Sequence, residues 1–299
     1  MRPTRQPAAR FPLSVFDSVE AGTVPGREAR PASDTWRRVK ALIKWPFYVL
    51  YQRRLESKVG TWRLPRHIGL IMDGNRRYAR QQRLGNVSAG HFRGAEKLWE
   101  VLNWCYEAQV STVTVWSMSL DNFNRSAKEV QALFDLFEEK TRELANHDDV
   151  HQKGIRVRFL GQMELLPESL QAAIREAEAA TSGYDRYRLN IAMAYGGREE
   201  IASAFRNYLL DNSAVGKSLD DVVDEFRASS IERYLYTSGQ PEPDLILRTS
   251  GEVRLSGFLL WQSTYSEYYF CDTHWPALRK IDLLRALRSY SSRQRRRGR

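Results

Sequence analysis

Three features that would assign a protein to a familiar class are missing from this sequence. Its two cysteines, Cys105 and Cys271, are too few for a disulfide scaffold and stand in no metal-ligand spacing, which fits a reducing compartment. It has no GxxxxGK(S/T), GxGxxG or GxSxG motif, so the common nucleotide-binding loops and the serine nucleophile elbow are excluded. No apolar run reaches the roughly 20 residues that span a bilayer, and no secretory signal is recognisable. We therefore expect a cytoplasmic protein.

Acidic residues are scarce at both ends of the chain, where the net charge of +10 is concentrated. Residues 1–60 carry a net +7 and residues 285–299 another +7, whereas the body, 61–284, is at −4. An acidic body argues against a protein that grips nucleic acid with its main domain, so we expect no nucleic-acid partner. On charge alone, the basic ends would suit RNA or anionic lipid equally well.

The first 60 residues divide into two parts. Residues 1–35 are rich in Pro, Arg, Ala and Ser without periodicity, which predicts a disordered basic tail. Residues 36–60, WRRVKALIKWPFYVLYQRRLESKVG, mix apolar and basic residues, which predicts a basic amphipathic helical segment. Two interpretations of this segment stay open: peripheral contact with a membrane, or a helix packed on the domain with its charges exposed. Residues 61–299 are expected to form one domain.

From residue 66 onward, short apolar runs alternate with helical patterns. The runs fall at 68–72, 112–118, 155–160, 189–194, 244–247 and 267–271. Between two of them, Val130, Leu133, Phe134 and Phe137 recur at three- and four-residue steps, as on one face of a helix. This alternation predicts an α/β fold whose central sheet is mostly parallel and flanked by helices.

Polar residues gather directly after four of these runs, at 73–77, 119–125, 195–198 and 248–252. Each stretch alone could be a helix cap or a turn. Because open parallel sheets bind ligands beyond the carboxyl ends of their strands, we expect the four stretches to converge on one site. Guanidinium groups match phosphate oxygens, and a strand-end carboxylate such as Asp73 suits Mg²⁺. The sequence therefore predicts a site for a diphosphate with magnesium.

Five blocks of the sequence occur in the order of a known family. They read HIGLIMDGNRRYA, GH with GAE (residues 90–96), SLDNFNR followed by EV, LNIAMAYGGREEI, and PDLILRTSGEVRLSGFLLWQSTYSEYYF with a later WP. In these blocks the chain resembles, over about 61–299, the cis-prenyltransferases, which are the undecaprenyl diphosphate synthase-like enzymes. The wording LYTSGQPEPDLILRTSGE and SGFLLWQ is most similar to the bacterial short-chain branch, which makes (2Z,6E)-farnesyl diphosphate.

The resemblance implies a Mg²⁺-dependent prenyltransferase of isoprenoid biosynthesis. Such an enzyme condenses isopentenyl diphosphate with an allylic diphosphate, geranyl or farnesyl, and forms a cis double bond. Two alternatives stay open: a long-chain (decaprenyl or undecaprenyl) diphosphate synthase for a cell-wall lipid carrier, and a non-catalytic partner subunit. Partners of that kind lose the Asp and Arg of the first block, whereas Asp73 and Arg77 are present here.

The resemblance also implies roles for individual residues. Asp73 would hold Mg²⁺ and act in catalysis with Asn122, which would orient groups because an amide is a poor base. Glu267 would be the second metal carboxylate, reaching from a partner subunit, and the terminal RxG element at 296–298 implies a homodimer. The implied substrate-binding residues are Gly74, Asn75, Arg76, Arg77, Tyr78, His91, Ser119, Asp121, Phe123, Arg125, Arg248, Arg254 and Ser256.

Product length is less defined by the sequence. The hydrocarbon is expected in an apolar tunnel between the sheet and helices such as 126–146, where bulky wall residues stop elongation. Ser117 stands where short-chain members tend to carry a large residue, which favours a longer product. The bulky side chains of Trp116, Met118 and Phe134 could stop elongation instead. The resemblance of the stretches LYTSGQPEPDLILRTSGE and SGFLLWQ to the short-chain branch favours a short product.

Overall fold

The computed structural model describes residues 47–293. From Tyr48 onward the chain forms one compact unit. The predictions for 1–35, for the first part of the basic segment (36–46) and for the RxG element at 296–298 lie outside the described residues.

All six apolar runs are strands of one sheet. The strands are β1 His67–Ile71, β2 Thr112–Trp116, β3 Ile155–Leu160, β4 Tyr187–Ala192, β5 Leu245–Arg248 and β6 Glu267–Phe270. Their order is β3-β4-β2-β1-β5-β6, and every neighbouring pair is parallel. The predicted α/β fold is confirmed, and within residues 47–293 the sheet is wholly rather than mostly parallel.

Helices connect and cover the strands. Within the described range they are α1 (47–56), α2 Asn75–Gln81, α3 Ser88–Glu107, α4 Ala127–Ala145, α5 Asp148–Lys153, α6 Glu168–Thr181, α7 Gly197–Ala214, α8 Leu219–Glu225, α9 Ala228–Glu232 and α10 Lys280–Ser292. Helix α4 begins where the side chain of Ser126 accepts a hydrogen bond from the Glu129 N–H at 3.3 Å. Its predicted apolar face packs against the main core through Val130, Phe134 and Phe137, and Leu133 on the same face is buried.

The main core lies between one face of the sheet and the flanking helices. Val157 and Leu189 point from β3 and β4 towards Leu144 and Ile174, which belong to α4 and α6. Since β3 is an edge strand, its outward N–H groups need partners. Thr181 and Glu178 of α6 provide them, accepting from the N–H groups of Val157 at 3.1 Å and Phe159 at 2.7 Å.

Helix α1 forms part of the segment 36–60, which was predicted to be basic, amphipathic and helical. Leu55 is buried against Ile281 and Leu284 of α10, whereas Arg53 and Arg54 are exposed. One side of α1 therefore packs on the domain, while Arg53 and Arg54 stay on its exposed side. Among residues 47–293, no helix is both long and apolar enough to cross a membrane.

The strand order positions the ligand-binding edge. Strand β1 has β2 on one side and β5 on the other. The connection that leaves β1 therefore leads to one side of the sheet and a later connection leads to the other, so the strand order reverses at β1. Crevices at such a reversal, beyond the carboxyl ends of the strands, are the usual ligand sites of open α/β sheets. The pairing of Ile71 with Arg248 brings the ends of β1 and β5 together at this point.

Candidate active site

Asp73 stands two residues beyond β1, and the glycine after it permits a sharp entry into α2. Gly74 has φ +105°, in the left-handed region. A Cβ at this position would approach His274 Nδ1 to 2.8 Å and Ser250 Oγ to 2.9 Å. Glycine is therefore required both for the turn and for the close approach, and it allows α2 to start at Asn75.

Two arginines hold the Asp73 carboxylate. Arg248 Nη2 lies 2.9 Å from Oδ2, and Arg77 Nη2 lies 3.2 Å from Oδ1. Partial burial alone would raise the pKa of Asp73, but the hydrogen bonds and charges of Arg248 and Arg77 outweigh it and hold the pKa below its usual value. Asp73 is thus ionised at neutral pH, with part of its surface open to the cavity.

Arg248 is the buried cation of the site, with its side chain only 5% exposed. Its Nη1 donates to the Arg254 carbonyl at 2.5 Å and to Ser256 Oγ at 2.9 Å. Ser250 and Ser256 have φ +80° and +54°, so the loop that wraps Arg248 holds two non-glycine residues in a strained conformation. This loop fixes the guanidinium group before any ligand arrives.

Glu252 connects the exposed arginines of the same loop. Its Oε1 lies 3.0 Å from Arg77 Nη1, and its Oε2 lies 2.5 Å from Arg254 Nη1. Glu252 was not among the predicted site residues, although it lies in the 248–252 stretch. It neutralises part of the positive charge beside Asp73.

A second cluster of basic side chains converges on Glu129. Its Oε1 lies 2.9 Å from Arg125 Nη1, 3.7 Å from His91 Nε2 and 3.8 Å from Arg76 Nε. Sequence reasoning missed this residue, although EV was part of the quoted SLDNFNR block and Glu129 follows Ser126 at capping-box spacing. Burial lowers the pKa of His91 to about 4. The positive charge of Arg125 lowers this pKa further, whereas the negative charge of Glu129 raises it only in part. His91 is therefore neutral at pH 7.

Ser119 and Asn122 form a reciprocal turn at the start of the 119–125 stretch. Asn122 Oδ1 accepts from the Ser119 N–H at 3.1 Å, and the Asn122 N–H donates to the Ser119 carbonyl at 3.0 Å. The amide side chain is thus fixed by its own turn, which agrees with an orienting role for Asn122.

These groups surround a cavity of about 400 Å³ at the carboxyl ends of β1, β2 and β5. The predicted residues that line it are Asp73, Gly74, Asn75, Arg76, Arg77, His91, Ser119, Asp121, Asn122, Arg125, Arg248 and Ser256. Arg80, which was not predicted, also lines it. The cavity walls carry five arginines and two aspartates, a composition suited to a highly charged phosphate ligand.

Some of the predicted residues lie outside this cavity wall. Phe123 packs 5.9 Å from Phe134, ring centre to ring centre, and Arg254 and Tyr78 are not among the lining residues. The stretch 195–198 was expected at the site, and it contacts two of the site's loops without lining the cavity. Tyr195 pairs with Ser119, and the Gly197 N–H donates to the Gly257 carbonyl at 3.0 Å. The buried Tyr195 hydroxyl donates to Glu200 Oε2 at 2.5 Å.

Glu267 and Asp73 are not brought together within one chain. Glu267 opens β6 and pairs in register with Leu245, at the amino end of β5, whereas Asp73 lies beyond the opposite ends of the strands. Glu267 Oε2 instead contacts Arg293 Nη1 at 2.6 Å. A metal site that includes both carboxylates would need a second copy of the chain.

A smaller apolar cavity of about 90 Å³ continues from the charged one. The two share Met72, Asn75, His91, Ser117 and Leu133 as lining residues. The inner walls come from α3, α4 and the sheet, with Trp99, Leu102, Leu136, Phe137, Leu144, Phe159, Ile191 and Met193 among them. The predicted apolar tunnel is confirmed, but Met118 and Phe134 do not line it and Trp116 lines the charged cavity instead.

The donor set constrains which metal the site could hold. Among the described residues, no group of three or more His, Cys, Asp or Glu side chains is placed to enclose an ion. Asp73 offers a single carboxylate, and both of its oxygens already contact arginines. This arrangement fits a Mg²⁺ ion that is shared with phosphate oxygens and waters rather than one enclosed by protein ligands.

Comparisons with known proteins give the family. The family model "Putative undecaprenyl diphosphate synthase" matches residues 71–298. The chain is 50% identical to an isoprenyl transferase from Thermus thermophilus (88% of this chain, 99% of that protein). It is 49% identical to a (2Z,6E)-farnesyl diphosphate synthase from Thermobifida fusca (86% and 99%).

A solved structure agrees with the sequence comparison. The lavandulyl diphosphate synthase of Lavandula x intermedia, determined with dimethylallyl diphosphate, superposes with a TM-score of 0.71 at 33% identity, over 79% of this chain and 99% of that one. With the family model covering most of the chain and the site geometry in place, this protein belongs to the cis-prenyltransferase family.

Proposed function

We propose that this chain is an active cis-prenyltransferase that joins isopentenyl diphosphate to an allylic diphosphate, geranyl or farnesyl, and forms a cis double bond. A single observation carries the proposal: the arginine-lined cavity around Asp73 adjoins the apolar cavity and shares five lining residues with it. A prenyl diphosphate has the same two parts, a charged head and a hydrocarbon tail. The non-catalytic alternative is disfavoured because Asp73, Arg77 and Arg248 are all present and in contact.

The cations would act on the leaving group. As the allylic carbon–oxygen bond breaks, negative charge grows on the departing diphosphate, and donors already fixed in place stabilise that charge without reorganising. Arg248 and Arg77 are held by Asp73, while Arg76 and Arg125 are held by Glu129. Losing one such donor from a closed site costs about 3 kcal/mol, or roughly a hundredfold in rate.

Magnesium would be bound through Asp73. When present, the ion supplies Lewis-acid stabilisation of the diphosphate oxygens. Arg248 and Arg77 would keep the carboxylate ionised and oriented towards the cavity for that purpose. Arg248 and Ser256, which touch each other at 2.9 Å, would together bind the diphosphate of isopentenyl diphosphate. Arg254, next in the loop, would add its exposed guanidinium group.

The proton of isopentenyl diphosphate would leave beside the 119–125 stretch. Asn122 is too weak a base to take it, and Asp121 is the titratable side chain next to it in the cavity wall. Asn122 would orient the substrate by its amide, which the turn with Ser119 fixes.

The walls of the apolar cavity support a short-chain product. The bulky side chains of Trp99 and Phe137 border this cavity, so they would stop elongation after few additions. Ser117 lies at the junction of the two cavities, where a small side chain keeps the entrance open rather than setting the tunnel's end. A (2Z,6E)-farnesyl product is therefore favoured over decaprenyl or undecaprenyl chains.

A homodimer is part of the proposal, because Glu267 has no function in the cavity of its own chain and would serve that of a partner. Peripheral membrane contact remains a proposal for the basic amino-terminal segment: Leu50 is 70% exposed on α1 beside Arg53 and Arg54. Liposome flotation of the wild type and of the triple variant Leu50→Ser, Arg53→Gln and Arg54→Gln, which alters only exposed positions of α1, would test that contact. Equal flotation would contradict it.

The function is tested by incubating the full chain with isopentenyl diphosphate and labelled geranyl or farnesyl diphosphate, with Mg²⁺ or with a chelator. The expected result is a metal-dependent, short, cis-configured product. Long products would overturn the length assignment but keep the reaction, while no transfer from either primer would overturn the function itself.

A further inference from the structure

A second basic cavity lies outside the proposed active site. It has a volume of about 170 Å³ and is lined by Arg156, Arg158, Arg188, Asn190 and residues 238–240. We propose that this rear cavity binds a phosphate-bearing anion. The reaction proposed above makes no use of it.

The sheet register assembles the three arginines. Arg156 pairs with Arg188, and Arg158 pairs with Asn190, on the adjacent strands β3 and β4. Neighbouring strands lie about 4.8 Å apart, and residues two apart on one strand share a face about 6.6 Å apart. The four side chains therefore form one compact patch on a single face of the sheet.

The opposite face of the same strands belongs to the tunnel. Phe159 and Ile191 alternate with the rear-cavity residues and line the apolar cavity. The rear cavity is thus separated from the tunnel by the thickness of the sheet, so an anion bound there would be a second ligand rather than a displaced substrate.

The charge of the rear cavity is not balanced by protein. None of its lining residues is acidic. Within residues 47–293, the side chains of Arg156, Arg158 and Arg188 make no ion pair or hydrogen bond, although all three are half-buried. The active-site arginines differ, since Arg77 and Arg248 each contact a carboxylate. Like charges in a partly desolvated place repel one another, and a bound anion relieves that repulsion.

Two buried amide groups add unused hydrogen-bonding atoms. Asn190 is fully buried, and its Nδ2 donates to Thr114 Oγ1 at 3.0 Å and to Gln240 Oε1 at 2.8 Å. This leaves Asn190 Oδ1 and Gln240 Nε2 buried without a partner in the described structure. Such atoms are costly unless a ligand or water satisfies them. Hydrogenphosphate can satisfy both atoms, because its O–H donates to Asn190 Oδ1 and its other oxygens accept from Gln240 Nε2 and the guanidinium groups.

The rim of the cavity is open. Ser238 and Gly239 are exposed, so the rest of a larger ligand can remain in solvent while its phosphate enters. Free phosphate and a lipid phosphate headgroup present the same chemistry to the arginines, and the source is decided by experiment.

Isothermal titration of the full chain with inorganic phosphate tests the site. Changing both Arg158→Gln and Arg188→Gln should remove one bound phosphate per chain or weaken it at least tenfold. The matched control, Arg206→Gln with Arg233→Gln at exposed positions, should bind as the wild type. Arg77→Gln affects the other cavity, so a failure of the proposed function would not mimic a failure here. An isotherm of the double variant that overlays the wild type would overturn the proposal.

A second variant keeps the test valid if the double variant misfolds. Arg188→Glu places a carboxylate among the remaining arginines, which should abolish phosphate binding while the buried hydrogen bonds of Asn190 stay in place. Unchanged phosphate affinity in this variant would contradict the site. In a third arm, vesicles with phosphatidic acid in phosphatidylcholine identify a headgroup source if they sediment the wild type but not the double variant. Equal sedimentation with no free-phosphate binding would refute the proposal.

Discussion

Arg248 Nη2 lies 2.9 Å from Asp73 Oδ2, although the two residues are 175 positions apart in the sequence. The contact joins the ends of β1 and β5 at the point where the strand order reverses. Because Arg248 is buried, it needs a counter-charge, and Asp73 supplies one while still facing the cavity. One ion pair therefore contributes both to folding and to the reactive site.

Replacing Asp73 by asparagine tests this double role. Asp73→Asn leaves the buried Arg248 without a counter-charge and removes the proposed metal ligand, so we expect prenyl transfer to fall at least a hundredfold. The free energy of unfolding should fall by about 3 kcal/mol, as when one partner of a buried pair is removed. Rate assays and urea unfolding measure the two effects. Asp272→Asn, an exposed control, should change neither, and full activity of Asp73→Asn would refute the assignment.

Glu129→Gln tests whether the Glu129 carboxylate orients the basic side chains of the second cluster. Glu129 does not line the cavity but contacts Arg125, His91 and Arg76, which do. Without its charge the two arginines should repel one another and lose their orientation, so kcat/KM should fall by about tenfold, with much of the effect in KM for the allylic substrate. Steady-state kinetics with each substrate varied separately would measure it. Glu139→Gln, exposed on the same helix, is the control, and equal kinetics for both variants would contradict the prediction.

Two substitutions of Asn122 separate its turn from its chemistry. Asn122→Ala removes the acceptor for the Ser119 N–H, so we expect a loss of about 1 kcal/mol in stability together with a loss of activity. Asn122→Asp retains an acceptor for that N–H but loses the amide donor. Its melting temperature should stay near the wild type while activity falls. If Asn122→Asp were as active as the wild type, the amide would have no orienting role.

Tunnel residues should control product length, and their neighbours should not. Phe137→Ala enlarges the apolar cavity, so we expect longer products on sizing the labelled lipids. Phe134→Ala is a matched control on the same helix, since Phe134 packs near Phe123 and does not line the tunnel. It should lower stability without lengthening the product. Identical product lengths in both variants would contradict a tunnel end at Phe137.

Acid should destabilise the fold through two buried histidines. Burial lowers the pKa of His67 and of His91 to about 4 each, below the roughly 6.5 of an unfolded histidine. Between those values the unfolded chain binds more protons than the folded chain, so stability falls as pH drops. Each histidine should remove about 2 kcal/mol between pH 7 and pH 5.

Urea unfolding across that range checks the histidine prediction. In His67→Gln about half of the fall should disappear, whatever the variant's absolute stability. Ile174→Val, a core change without a titratable group, should lower stability by a similar amount at every pH. Wild-type stability that stays level from pH 7 to pH 5 would refute the prediction.

Much of the fold and part of the site could be predicted because their signals are local. Apolar runs located all six strands. Strands β1 and β5 are buried on both faces and read as continuous hydrophobic segments, whereas β3, IRVRFL, alternates because Arg156 and Arg158 face the rear cavity. The rule that ligands bind at strand ends identified Asp73, Arg77 and Arg248. For 195–198 the same rule gave the right edge of the sheet, since Tyr195 pairs with Ser119, but these residues do not line the cavity because the Tyr195 side chain points into the core and binds Glu200.

Sequence by itself determined the strand pattern, the family resemblance and the charged residues that could bind a phosphate. Only the tertiary structure decided which of them meet. Glu129 and Glu252 join the site, Glu267 faces the other end of the sheet, and the arginines of β3 and β4 form a separate cavity. The physical reason is that periodicity reports which face of an element is buried. Contacts between distant side chains depend instead on strand order, register and the path of loops.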